Sequence, residues 1–341
     1  MAIFRGIHGM LKANTRGESM AKQIFDYQNG DEMKLAVLIK SAEVRVAKNG
    51  KKFIAFNFQD ASGHISAKFW DATDADIEQF KPGEVVRLAG KRELYQGNPQ
   101  VKIYNMRLAT QEEGNDPAKY VESAPESADD MGEELNDFIF QITNANWNRI
   151  VRKLLGDHKQ AFLTYPAAKA LHHAFAGGLA FHTLSILRLA KSVAEQYSSV
   201  NRSLLYTGAI LHDLGKTMEL SGPVSTDYTI EGNLIGHIVL VDEAIVQVAG
   251  QLKIDIHGED MMMLRHMVLA HHGLLEYGSP VRPELLEAQI LHNLDELDAE
   301  INMMTGAYQH TEPGTFTERL FGMDNRRFYR PQNGQTYPDP K

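Results

Sequence analysis

The sequence predicts a multidomain α and β protein: a small N-terminal β-barrel followed by an all-α domain. Three observations carry this expectation. The hydrophobic pattern changes from short alternating runs in residues 34–110 to recurrences every three or four residues in 134–308. An acidic segment, 111–133, separates the two patterns. The length of 341 residues exceeds what one hydrophobic core usually organises.

The barrel expectation comes from the order of strands and turns. Leu35–Ile39 is a short apolar run, and Glu43–Val46 alternates. Asn49-Gly50 signals a hairpin into Phe53–Phe58, and Asp60–Gly63 turns the chain into Ile65–Trp70. Residues 73–80 suit a short helix, Pro82-Gly83 turns into Glu84–Ala89, and Tyr95–Pro99 turns into Gln100–Tyr104. About five short strands, with a helix between the third and fourth, is the layout of an OB-fold.

The acidic segment is rich in Glu, Asp, Ser, Ala and Pro and reads as a flexible, solvated linker. Residues 111–134 hold nine acids and one lysine, so they account for most of the net charge of −9. Residues 34–108 hold thirteen Lys or Arg against eight Asp or Glu, so the barrel is basic. After the linker, helical periodicity covers 134–155, 179–197, 202–214, 234–250, 259–270 and 283–304, an all-α domain of about six helices. Residues 309–341 read as a mostly irregular tail. Residues 1–33 read as a leader and N-terminal segment; 1–19 lack the apolar core of a secretory signal, and Met20 serves equally well as a start.

Composition narrows the function classes. No cysteine is present, which excludes disulfides, zinc fingers and iron–sulfur clusters. No apolar run approaches the roughly 20 residues of a membrane helix, so no membrane partner is expected and the cytoplasm is the default location. A homo-oligomer is compatible with the sequence but not specified by it.

The chemistry-bearing residues lie in the helical half. Twelve of fourteen histidines fall at or after His158. His182, His212 and His237 sit within apolar stretches, and His212 is followed directly by Asp213. One such histidine is ordinarily a hydrogen-bonded core residue. Several on separate helices would each need a buried partner, and a shared metal site satisfies them together. Lys216 lies one helical turn beyond His212-Asp213. It either holds a phosphate or leaving oxygen, or is a solvated lysine favoured by the helix dipole.

The order His182, His212-Asp213, His237, His271-His272, Asp295, with His-Asp-Leu-Gly-Lys at its centre, resembles the HD superfamily of metal-dependent phosphohydrolases. The resemblance implies an all-α fold with His212, Asp213 and Asp295 at the core of the site. It implies that His182, His237 and a histidine of the 271–272 pair, His271 ahead of His272, complete a two-metal version. Asp298, one turn from Asp295, either backs up a ligand or is exposed. Imidazoles and carboxylates without thiolates suit divalent Mn first, with Fe, Co, Zn or Mg as alternatives.

Three further features resemble the YhaM family of bacterial 3′-to-5′ exoribonucleases: the barrel ahead of the helical domain, His172–Leu179, and Phe316–Arg330. One departure is Phe181, where that family commonly has a Glu. The resemblance implies cleavage of single-stranded RNA, with single-stranded DNA as a further candidate, to nucleoside monophosphates. OB barrels hold single strands with a basic groove and aromatic platforms. Alternation puts Ile54, Phe56 and Phe58 inside; Phe53, Lys68, Trp70 and Tyr95 are the nucleic-acid candidates, against a reading of most barrel aromatics as core. His172, His173 and Arg326 are candidates for contacting substrate phosphate, against readings as a loop cap and a surface charge. The alternatives to an exoribonuclease are a phosphohydrolase of small or cyclic nucleotides and a non-catalytic RNA-binding protein. His271-His272 is not followed by the Gly-Tyr-Pro expected of the cyclic-dinucleotide branch, and the complete set of ligand types speaks against a non-catalytic protein.

Overall fold

The computed structural model describes residues 22–95, 98–169, 173–309 and 311–332. Five strands form a closed barrel: β1 (Glu32–Val46), β2 (Lys52–Asp60), β3 (Gly63–Trp70), β4 (Val85–Tyr95) and β5 (Asn98–Leu108), in the spatial order β1-β2-β3-β5-β4. The short helix α1 (Asp74–Gln79) follows β3, its N-terminus capped by Thr73, which accepts from the Asp76 N–H. Neighbours are antiparallel except β3 and β5, which meet in parallel at Ser66–Gln100 and Ala67–Val101 and close the barrel. Ile54, Phe56, Phe58, Ile65 and Ala67 point inward and are buried, as the two-residue alternation requires.

The first two expected strands are one. β1 pairs with β4 through Glu32–Leu38 and with β2 through Leu38–Val46, and its register shifts between Ile39 and Ser41. The bulge at Lys40 bends a single long strand around the barrel so that it serves both neighbours.

The acidic segment differs from the flexible linker expected of it. Two 3-10 turns, Gln111–Glu113 and Pro117–Tyr120, follow β5, and Ser123 bridges to Ala176. The first helix of the α-domain, α2 (Ala128–Phe140), starts inside the segment, capped by Ser127. Two apolar residues explain the order. Val121 and Tyr120 pack with Leu38, Val85 and Ala109 of the barrel side and with Ala176 and Val224 of the helical domain. Glu126 of the segment and Glu134 just beyond it both pair with Arg188.

The helical domain continues with α3 (Ala145–Thr164), α4 (Gly178–Gln196), α5 (Arg202–Leu211), α6 (Lys216–Glu219), α7 (Ile230–Ile235), α8 (His237–Gln251), α9 (Glu259–Leu269) and α10 (Leu286–Gln309). The expected helix at 134–155 is split because the Asn144 side chain accepts from the N–H groups of Asn146 and Trp147 and starts α3 anew. Every residue of α5 from Ser203 to Leu211 is buried, the condition of a helix surrounded on all sides. α5 therefore delivers His212 and Asp213 to the middle of the domain. The tail is not wholly irregular: bridges join Phe316 to Tyr329 and Leu320 to Arg326.

Candidate metal centre and nucleic-acid surface

Six elements meet around Asp213. His182 comes from α4, His212 and Asp213 from the end of α5, Lys216 from α6, His237 from the first residue of α8, His271 from just after α9 and Asp295 from α10. Oδ2 of Asp213 lies 3.5 Å from His212 Nε2, 3.7 Å from His182 Nε2 and 2.6 Å from Lys216 Nζ. Oδ1 faces the opposite pair, 3.5 Å from His237 Nε2 and 3.8 Å from His271 Nε2. Asp295 Oδ1 is 3.1 Å from His182 Nε2. Of three groups of potential ligand atoms among the described residues, two contain Asp213, His182-His212-Asp213 and Asp213-His237-His271-His272, each with all atoms within 4.8 Å; the third is His173-His182-Asp298. Both members of the 271–272 pair thus stand in the second group, His271 fully buried and His272 partly so.

The imidazoles are set for ligation. In each case Nδ1 is occupied: His182 with Asp298 Oδ2 at 2.7 Å, His212 with Ala209 O at 2.8 Å, His237 with Glu219 Oε1 at 3.0 Å, His271 with Val268 O at 2.6 Å and His272 with Tyr277 O at 2.7 Å. A carbonyl or carboxylate at Nδ1 takes a proton there and, at His212, His237, His271 and His272, leaves the Nε2 lone pair to face the cluster; His182 Nε2 instead meets Asp295. The Nε2 atoms of His212, His237 and His271 and Oδ1 of Asp213 are buried and have no hydrogen-bond partner among the described residues. Buried polar atoms are ordinarily paired. A divalent cation fits this donor set in charge, in donor type and in the pairing that the protein alone leaves undone.

The electrostatics agree at every group but His182, where burial works to lower the pKa but the hydrogen bonds with Asp295 and Asp298 push it up to about 10, so that without a cation the ring is charged and its Nε2 proton is the one an ion would replace. Burial works to raise the Asp213 pKa, but the Lys216 ammonium and His212 outweigh it and hold the carboxyl well below the usual range. Burial works to lower Lys216, and the Asp213 carboxylate reverses this, so the lysine keeps its charge. Burial, reinforced by His272 and His212, holds His271 well below the usual imidazole value and therefore neutral. Burial opposes ionisation of Asp295, but the hydrogen bond with His182 and its charge lower the pKa strongly.

The other candidates separate into three groups. Asp298 is buried, and its carboxylate accepts from His182, His173 and Ser185; of the two readings of this residue, geometry gives the backing one. His173 is correspondingly buried, its Nε2 2.7 Å from Asp298 Oδ2, and so is turned to a carboxylate rather than to an open phosphate site. His172 lies outside the described residues. Arg326 contacts Glu300 at 3.4 Å and the Met323 carbonyl at 3.2 Å, and no described contact joins it to the cluster. Lys216 is buried against Asp213 and is not the solvated lysine of the bland alternative.

Glu219 is the residue that sequence reasoning missed. Its only signal was an acid between Met218 and Leu220, six positions after Asp213.

On the barrel, the four nucleic-acid candidates come together. Phe53 and Trp70 are paired across β2 and β3, with ring centroids 4.7 Å apart. Lys68 Nζ stands 5.8 Å from the Trp70 ring and 4.6 Å from the Tyr95 ring. Trp70 is 57% exposed and Tyr95 49%, so this is an outward aromatic and cationic surface and not core.

Fold and site together define the class: an OB-fold barrel joined to a helical HD domain. The OB-fold nucleic acid binding domain family matches residues 34–109, and the HD domain family matches residues 179–300. The chain is 48% identical over 312 residues to the 3′-5′ exoribonuclease YhaM of Listeria monocytogenes, covering 92% of this chain and 99% of that protein. The same figures hold for the Listeria innocua protein of that name, and the identity is 47% for the one from Listeria welshimeri. The chain belongs to the YhaM family. No described helix is long and apolar enough to cross a membrane.

Proposed function

We propose that this protein is a metal-dependent 3′-to-5′ exoribonuclease that shortens single-stranded RNA, and single-stranded DNA as a second substrate, to nucleoside monophosphates. The observation that carries the mechanism is the division of Asp213, whose two oxygens face different histidine pairs. In this reading His182, His212, Asp213 and Asp295 hold one divalent ion, and Asp213, His237, His271 and His272 hold a second. The mixed imidazole and carboxylate donor set accepts Mn²⁺, Fe²⁺ or Zn²⁺, and Mn²⁺ is the ion proposed here. Bound ions supply Lewis acidity for hydrolysis of the terminal phosphodiester.

The chain's own groups do the rest. Neutral His271 and the Nδ1-anchored imidazoles keep the donor atoms aimed without rearrangement. Lys216 keeps a positive charge beside Asp213, where it would hold the scissile phosphate or the departing oxygen. Phe53, Trp70 and Tyr95 stack bases and Lys68 meets the backbone, so the barrel holds the strand while its 3′ end is consumed. With RNA as the substrate, the cytoplasm is the proposed site of action.

A time course on 5′-end-labelled single-stranded RNA with Mn²⁺ tests this, with EDTA, His212→Ala and Asp213→Ala as controls and a DNA strand in parallel. The expected result is a ladder of shortening labelled fragments, lost in all three controls. Intact RNA that the protein still binds would overturn the exonuclease reading.

A further inference from the structure

Glu219 ends α6, and Oε1 of its carboxylate takes two hydrogen bonds from one residue. The His237 backbone N–H and His237 Nδ1 both lie 3.0 Å away. On the far side of the ring, Nε2 faces Asp213 Oδ1 at 3.5 Å, and both of those atoms are buried without a hydrogen-bond partner among the described residues. The imidazole is thus fixed at one end and aimed at the other.

This approach is built into the backbone. A Cβ on Gly215 would stand 2.1 Å from the His237 carbonyl oxygen, and a Cβ on Gly232 would stand 2.3 Å from the Glu219 carbonyl oxygen. Only the missing side chains let α6, α7 and α8 close on one another. The opposite half of the cluster has a different support, since Asp298 accepts from His182, His173 and Ser185. Each half of the centre is therefore backed by its own carboxylate.

We propose that Glu219 is the positioning residue for the His237 half of the metal centre. It accepts the Nδ1 proton and the backbone N–H, holds the tautomer whose Nε2 lone pair faces Asp213, and so sets the affinity of one ion without touching it. The inference rests on the two-ion reading above. Partners behind a ligating histidine typically govern metal affinity by about 10–100-fold.

The test is Mn²⁺ titration of the metal-stripped full chain, by calorimetry and by the electron paramagnetic resonance of free and bound Mn²⁺. Glu219→Ala is expected to weaken one of two sites by about 10–100-fold and leave the other unchanged. Glu219→Gln is expected to recover most of that loss, because its amide oxygen accepts the same two hydrogen bonds. Glu287→Gln is the control; Glu287 is a buried carboxylate that accepts from the Asn201 N–H, remote from the cluster in role, and is expected to bind both ions normally. Nitrogen-15 shifts of His237 in the metal-free Glu219→Gln protein keep the test open should Glu219→Ala fail to fold. The Nδ1–H tautomer is expected to persist in the Gln variant, and a mixture of tautomers there would overturn the proposal. Unchanged affinity at both sites in Glu219→Ala, or an equal loss at both, would also overturn it. Failure of the two-ion reading itself shows separately, as fewer than two sites in the unsubstituted protein, and would remove both conclusions together.

Discussion

Replacing Trp70 with alanine separates RNA holding from barrel stability. Trp70 ends β3, is 57% exposed, and lies against Phe53 with centroids 4.7 Å apart at 32°. The cost to folding is therefore confined to the Phe53 pairing, about 0.5–1.5 kcal/mol beyond the area it covers, and to the Lys68 contact, because the barrel core of Ile54, Phe56, Phe58 and Ile65 is untouched. The cost to binding is larger. A stacked base is worth about 1–3 kcal/mol by alanine substitution, and about 1.4 kcal/mol is tenfold in affinity. The dissociation constant for a short single strand should rise about 5- to 150-fold. The assay is fluorescence anisotropy with labelled oligoadenylate, in EDTA so that no strand is cut. In Mn²⁺ the same change should raise KM and leave kcat nearly unchanged, the sign of lost uniform binding. Phe140→Ala is the control, since Phe140 is 73% exposed but stands on α2 of the helical domain. Affinity within twofold of the parent protein, or an equal loss in the Phe140 variant, would refute the assignment of this surface.

Three other outcomes are expected. Gly215→Ala would put a Cβ 2.1 Å from the His237 carbonyl oxygen; activity should fall at least about tenfold, as displacement of a positioned group by about 1 Å can cost a hundredfold, and the comparison of kcat in saturating Mn²⁺ checks it. Mn²⁺ at about 100 times its dissociation constant should stabilise the helical domain by about 2.7 kcal/mol per site, seen as a rise in the melting temperature that EDTA abolishes; an unchanged melt would count against the metal centre. Lys68→Ala should reduce the slope of log affinity against log salt by about 0.7, the single-strand value for one lost phosphate contact, and an unchanged slope over 50–200 mM KCl would remove Lys68 from the interface.

Much of the architecture was legible because it depends on local patterns. Two-residue alternation identified which of Phe53, Ile54, Phe56 and Phe58 face the core, and the Asn49-Gly50 pair marked the hairpin. The acidic segment was misread because composition averages over residues. Nine acids outweigh Tyr120 and Val121 in any count, yet those two side chains fasten the segment between the domains. The split between α2 and α3 was missed in the same way, since one capping side chain, Asn144, overrides an apolar period that runs through it.

For the site, residue types and their order are legible along the chain: His182, His212-Asp213, His237, His271-His272 and Asp295. Their division around Asp213, with His182 and His212 on one oxygen and His237 and His271 on the other, emerges from the packed fold. That fold also gave Asp298 and Glu219 their places behind His182 and His237, and turned His173 toward Asp298. Residue identity and spacing carry local preference, whereas the atom that each ring nitrogen faces is fixed by how α4, α6, α8 and α10 pack around the buried α5. That packing is a property of the whole core, and no single segment encodes it.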